Sequence, residues 1–191
     1  RLKVLVRVIN FQSAGKESRG SLSFGLPKST RKTQGEGMKT VHALFLVFTF
    51  CFTHLATAEF RAGAVAIDVS PKQFPVLVNG GMTSRSATGA TDPLFAKAIV
   101  LANGKIEIAI VVVDSCMMPR PMLDEAKALA TKRTGIPSDR ILVSATHTHT
   151  APSTIACLGT DADPRYTPYL KGKIAEAIAE AQKKLQPAQA G

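Results

Sequence analysis

Cysteine is scarce in this chain, with three in 191 residues, which rules out the dense disulfide framework of a small secreted scaffold. Internal repeats and low-complexity tracts are absent after Glu59, so a solenoid or fibrous reading does not arise. No apolar run reaches the ~20 residues that a bilayer span needs. The nearest, Ala43 to Phe52, is short and flanked by His42 and His54. It is preceded by Met38 and Lys39 and followed by the small-residue site Ala56-Thr57-Ala58. A positive start, a short apolar run and an A-x-A site in that order read as a cleaved signal peptide, not an anchor. We therefore expect residues 38–58 to direct export, with cleavage after Ala58, to the outside of the cell or to a periplasm. Residues 1–37 read as a basic, Ser/Gly-rich, non-native or disordered leader before the true start.

Charge of one sign is also missing once the leader is set aside. The whole chain carries a net +10, yet from Glu59 onward 15 Lys/Arg stand against 12 Asp/Glu, a net +3. The excess lies in the leader, and no nucleic-acid partner is expected from it. Of the cysteines, Cys51 falls in the signal segment, while Cys116 and Cys157 remain as a bridge or as two half-buried thiols.

What the exported part does have is alternation of strand and helix signals. Val65, Ile67 and Val69 alternate as in a strand stopped by Pro71. Residues 79–92, rich in Gly and Ser, read as one long loop. Two apolar runs, 95–102 and 105–113, flank Asn103-Gly104, a strong hairpin signal. The second ends in five unbroken apolar residues, the pattern of a strand covered on both faces. A helix over about Met122–Thr134, stopped by Gly135, leads to a strand at 140–145. A last helix starts at Thr167-Pro168, carries Leu170, Ile174, Ile178, Ala181 and Leu185 on one face, and is stopped by Pro187. Strand, helix, strand is a βαβ unit. The predicted class is α/β: a mixed sheet with a βαβ unit and an antiparallel hairpin, helices packed on the sheet. Residues 59–191, ending at Gly191 just after a helix, read as part of a domain, the N-terminal portion of a longer catalytic one.

Ligands in such sheets bind at the carboxyl ends of the parallel strands. One predicted strand end carries Asp114-Ser115-Cys116, the other Thr146-His147-Thr148-His149-Thr150. If extended geometry runs through Thr148, His147 and His149 face one space, as two metal ligands or as a ligand beside a proton donor. Neutral imidazole suits zinc, and the hydroxyls of Thr146, Thr148 and Thr150 are candidates to fix the ring tautomers. A catalytic zinc wants three protein ligands. Either Asp114 supplies the third or the rest lie beyond Gly191, unless Asp114 merely caps its turn. Ser144 and Ser153 lie near the histidines, but no nucleophile-elbow pattern surrounds either.

These residues resemble the N-terminal domain of neutral/alkaline non-lysosomal ceramidases. Phe60-Arg-Ala-Gly with Ile67-Asp68-Val-Ser-Pro71, Gly80-Gly81-Met82, Ala96-Lys97-Ala98, Val113-Asp114 with Met117, Ser144-Ala-Thr-His-Thr-His149 and Leu185-Gln-Pro187 follow in the family's order. The resemblance covers nearly all of residues 60–187. It implies an exported zinc amidohydrolase that cleaves the N-acyl amide of ceramide or a related lipid to fatty acid and sphingoid base. It implies His147 as a ligand of one zinc ion per site and His149 as the catalytic group orienting the metal-bound water or the amide. A histidine, a glutamate and a tyrosine later in a longer chain would complete the metal site. The implied partner is a lipid amide, met at a membrane surface. Where the family continues Ser-Gly-Pro-Gly-Gly, this chain has Thr150-Ala151-Pro152-Ser153-Thr154, which changes how closely backbone approaches a substrate. The alternative reading is a non-catalytic exported domain of the same fold that binds a lipid or a partner.

Overall fold

The computed structural model describes residues 7–8 and 59–190. The expected signal segment 38–58 and all of the expected leader except Arg7 and Val8 lie outside the described residues. Strand β1 (Arg7–Val8) precedes β2 (Phe60–Asp68), β3 (Val76–Val78), β4 (Arg85–Ala87), β5 (Phe95–Asn103) and β6 (Ile106–Val113). Helix α1 (Arg120–Thr134), strand β7 (Ile141–Ala145), helix α2 (Tyr166–Lys183) and β8 (Gln186–Gln189) follow. Five strands form a mixed sheet in the order β8-β2-β5-β6-β7, with β1 paired beyond β8, and β3-β4 make a separate small sheet. All neighbours are antiparallel except β6 and β7, which run parallel around the α1 crossover. The α/β class, the hairpin and the βαβ unit stand as the sequence indicates.

Period-two patterning builds the core. On β6, Ala109, Val111 and Val113 point to one face and are buried. Beside them lie Ala98 and Val100 of β5 and Val143 of β7, with both helices packed on that face. Helix α1 turns Met122, Ala126 and Ala130 inward at i, i+4, i+8. Its end is sealed by Gly135 at φ 76°, whose N–H reaches the Thr131 carbonyl at 2.9 Å. Helix α2 buries Leu170, Ile174, Ile178 and Ala181. Its true N-cap is Asp163, whose Oδ1 accepts the N–H groups of Arg165 and Tyr166, both at 3.0 Å.

Three expectations need correction. The β5-β6 turn is built on Gly104 and Lys105, because Asn103 still pairs with Ile106. Only Gly104 is left-handed, at φ 59°, as a turn with Gly at its first central position requires. The stretch 79–92 is not all loop, because Arg85–Ala87 pairs with Val76–Val78. The last helix does stop ahead of Pro187, at Lys183, and Gln186 and Pro187 then pair with Ala62 and Arg61 of β2. Finally, the described residues cover β6 on one face only. Ile99, Leu101, Ile108, Ile110, Val112 and Leu142 share the opposite face, where Leu142 is 58% exposed.

That open apolar face is large enough to drive association. We expect residues 59–191 alone to self-associate in light scattering, and a monodisperse monomer would contradict this. A second outcome concerns Tyr166, whose hydroxyl donates to the Val69 carbonyl at 2.9 Å. Burial, and secondly the charges of Tyr169, Asp114 and Asp68, push its pKa well above the ordinary value. The folded state therefore holds this proton more tightly than the unfolded chain. Its contribution is complete below the unfolded value of about 10 and is lost as pH rises above it. Tyr166→Phe should cost about 0.5–1.5 kcal/mol at neutral pH and flatten the alkaline decline of the urea midpoint. An equal decline in both proteins would count against the assignment.

Candidate metal centre

The parallel β6-β7 ladder places the two loops. Val113 pairs with Ala145, and one step further the Thr146 N–H donates to the Val113 carbonyl at 2.9 Å. Residues 114–116 and 146–149 therefore emerge side by side at the carboxyl ends of the two strands.

Asp114 turns away from the histidines. Its Oδ2 accepts the Phe95 N–H at 3.0 Å and lies 3.7 Å from Lys97 Nζ, so it ties the strand end to β5. Neither expectation is met: it does not join the histidines, and its carboxylate fastens β5 instead of capping its own turn. After it the chain folds tightly, with the Ser115 N–H on the Val113 carbonyl at 2.9 Å. The Thr154 hydroxyl holds the Met117 carbonyl at 2.6 Å. This buries Cys116, and burial, with Cys157 as a lesser cause, pushes its thiol pKa up. Both cysteines are free, so no bridge forms between them.

His147 and His149 do come together, but not through an extended strand. Strand β7 ends at Ala145, and His147 is left-handed at φ 61°, a conformation that L side chains rarely adopt. The rings meet edge-on, centroids 4.9 Å apart. The threonine hydroxyls do not fix the tautomers: Thr148 and Thr150 bond to each other at 3.0 Å. The Cys116 carbonyl does that for His147, 2.8 Å from Nδ1. A carbonyl only accepts, so Nδ1 carries the proton and Nε2 keeps its lone pair. Cys116 Sγ is 4.0 Å from the same Nδ1. Cys116, His147 and His149 offer three donor atoms within 4.8 Å of one another. One thiol and two imidazoles are donor types that zinc takes, while the His147 nitrogen next to the thiol is the protonated Nδ1.

His149 stands on the β3-β4 turn. Its carbonyl accepts from Arg85, whose Nη2 also lies 3.4 Å from the Asn79 carbonyl. Buried Asn79 donates to the Ile155 carbonyl at 3.0 Å and to Ser153 Oγ at 3.2 Å. Ser153 is thus a buried structural hydroxyl, and Ser144 is exposed on the open sheet face, so neither forms a nucleophile pair with a histidine. A Cβ on Gly80 would sit 2.5 Å from His149 Cγ and 2.9 Å from its Cα. Beside His149 a cleft of about 540 Å³ opens, lined among others by Phe74, Val76, Leu94, Arg85, Thr150 and Pro152.

Two solved structures share this architecture. Neutral ceramidase from Pseudomonas aeruginosa superposes with a TM-score of 0.60 at 22% identity, covering 68% of this chain and 22% of that one. A ceramidase complexed with C2 gives 0.59 at 22% identity, with the same coverage of 68% and 22%. The fold is ceramidase-like. The chain spans about a fifth of the length of these neighbours. No protein-family profile and no curated protein matches it.

The sequence places His147 and His149 at this strand end and leaves Cys116 as half of a bridge or as a half-buried thiol, and the structure has it as a free thiol. The signal was present, since Cys116 follows the β6 end at Val113 nearly as closely as His147 follows the β7 end at Ala145. Gly80 and Arg85, which seat His149, carried no signal beyond a turn. Gly80→Ala should displace His149 while leaving the core intact. A drop in metal affinity of about 10–100-fold is expected, the size typical of lost supporting contacts, together with a stability loss of about 1–3 kcal/mol, because alanine is strained at φ 95°. Unchanged affinity by calorimetry would show that the seat is irrelevant.

Proposed function

We propose that the chain is the N-terminal part of an exported zinc-dependent amidohydrolase that cleaves the N-acyl amide of ceramide or a related lipid. The observation that carries this reading is the His147 ring, with Nδ1–H on the Cys116 carbonyl and Nε2 free beside His149, at the carboxyl ends of parallel strands. The ceramidase-like fold supports it. In this reading residues 38–58 are the export signal and 59–191 the start of the catalytic domain.

A zinc ion held by His147 would lower the pKa of a bound water to about 7 and polarise the amide carbonyl. His147 is presented in the tautomer that binding needs. His149, exposed and seated on Gly80, orients the scissile amide or the attacking water. The apolar wall of the adjoining cleft, Phe74, Val76 and Leu94, accepts an acyl chain. Water adds to the carbonyl carbon, the C–N bond breaks, and the amine leaves with a proton as the free sphingoid base.

A second reading is a lipid- or partner-binding domain without turnover. Residues 151–154 favour it, since all four are buried where resemblance leads one to expect an open Gly-rich loop. Chelation decides between the two: hydrolysis abolished by removing zinc excludes it. For the amidase, His147→Ala in the complete protein should lower kcat/KM on a fluorescent ceramide by at least about 100-fold. Full activity in that variant would end the proposal.

A further inference from the structure

The cleft beside His149 has a largely apolar wall, yet it holds one fixed cation. We propose that Arg85 reads an anionic group next to the scissile bond. The cleft then prefers N-acyl amides whose amine part carries a carboxylate, N-acyl amino acids, over neutral ones. Arg85 lines the cleft with Phe74, Val76 and Leu94. Its Nη2 donates to the carbonyls of His149 and Asn79, which occupies both hydrogens of that nitrogen. The ion pairs among the described residues leave the guanidinium without a carboxylate. Nε–H and the two hydrogens of Nη1 therefore remain for a ligand. No side chain at Gly81 covers Nε, since a Cβ built there would lie 3.8 Å from it, at ordinary contact distance. Asp92 is the one carboxylate of the lining, and it is exposed and unpaired with Arg85, free to turn to solvent.

Place decides which anion fits. The guanidinium is bonded to the backbone of His149, the residue whose ring stands against that of His147. An anion held by Arg85 is thus a close neighbour of the group that orients the amide. In an N-acyl amino acid the carboxylate is one carbon from the amide nitrogen, and the acyl chain leaves on the other side, toward the apolar wall. Ceramide offers hydroxyls there, which a guanidinium binds without the help of opposite charge. Two backbone carbonyls already restrain Arg85, so little further freedom is lost when a ligand arrives. Turnover rests on the amidase reading: water gives its hydroxyl to the acyl carbon and its hydrogen to the nitrogen, and the C–N bond breaks to leave a fatty acid and an amino acid. The selectivity stands on the cleft alone, and binding reads it without turnover.

Two ligands of one chain length separate charge from fit: N-octanoylglycine and its neutral counterpart N-octanoylethanolamine. Calorimetric titration of the full chain should show the glycine conjugate binding at least about 10-fold tighter, the size of one hydrogen bond to a charged group. The margin should narrow in high salt. Arg85→Gln should bring the two affinities together, while Arg85→Lys, which keeps the charge, should retain part of the preference. The ratio is the readout, because a variant that only unseats His149 weakens both ligands alike. Equal affinities in the native chain, binding of neither ligand, or a preference that survives Arg85→Gln overturns the inference. Offered as substrates to the complete protein, the same two compounds test the amidase reading separately. Charge-selective binding with no hydrolysis of either ends that reading and keeps this one.

Discussion

The Thr146 N–H on the Val113 carbonyl is the last rung of the only parallel ladder in the described sheet, and the site hangs from it. Parallel strands put their carboxyl ends on the same side, so the two loops that leave them start as neighbours. Everything after that rung is arranged by short, local bonds: Asp114 back to β5, Ser115 onto Val113, Thr154 onto Met117. An antiparallel β6-β7 pair would have sent Cys116 and His147 to opposite ends of the sheet.

A second layer of bonds ties these loops to the β3-β4 hairpin. The Ser153 N–H reaches the Leu77 carbonyl at 2.7 Å, and buried Asp163 accepts the Leu77 N–H at 3.2 Å while capping α2. One carboxylate thus joins the hairpin, the 151–163 loop and the helix. Asn79 does the same for the turn beneath His149. These two polar side chains, shut away from water with their bonds satisfied, fix the loops more specifically than apolar packing would.

The parts of the fold that were legible in the sequence are those written in long apolar periods. The alternation of Val65, Ile67 and Val69, the apolar runs on either side of Gly104 and the Leu170, Ile174, Ile178 stripe of α2 set elements that the core then confirms. What escaped was short or polar. Arg85-Ser86-Ala87 has no period of its own and becomes a strand only because Val76–Val78 offers it a partner. Gln186–Gln189, with a proline inside, pairs as a short strand between β2 and the two-residue β1. The histidine pair was legible by spacing, but its geometry was not. A left-handed His147 follows from long-range constraint, which no i, i+2 rule contains. The grouping of Cys116 with residues 31 and 33 positions away likewise depends on which strands pair.

That separation bears on how the molecule assembles. The β5-β6 hairpin closes across two residues and forms from local contacts. The three donors, by contrast, meet only when α1 has folded back and β7 has docked against β6, the kind of non-local closure that is slow because loop entropy precedes its reward. The site is therefore absent from any early compact state, however complete the hairpin. Any ligand that only the closed site recognises would therefore slow the reverse step and clasp the half of the sheet that closes last.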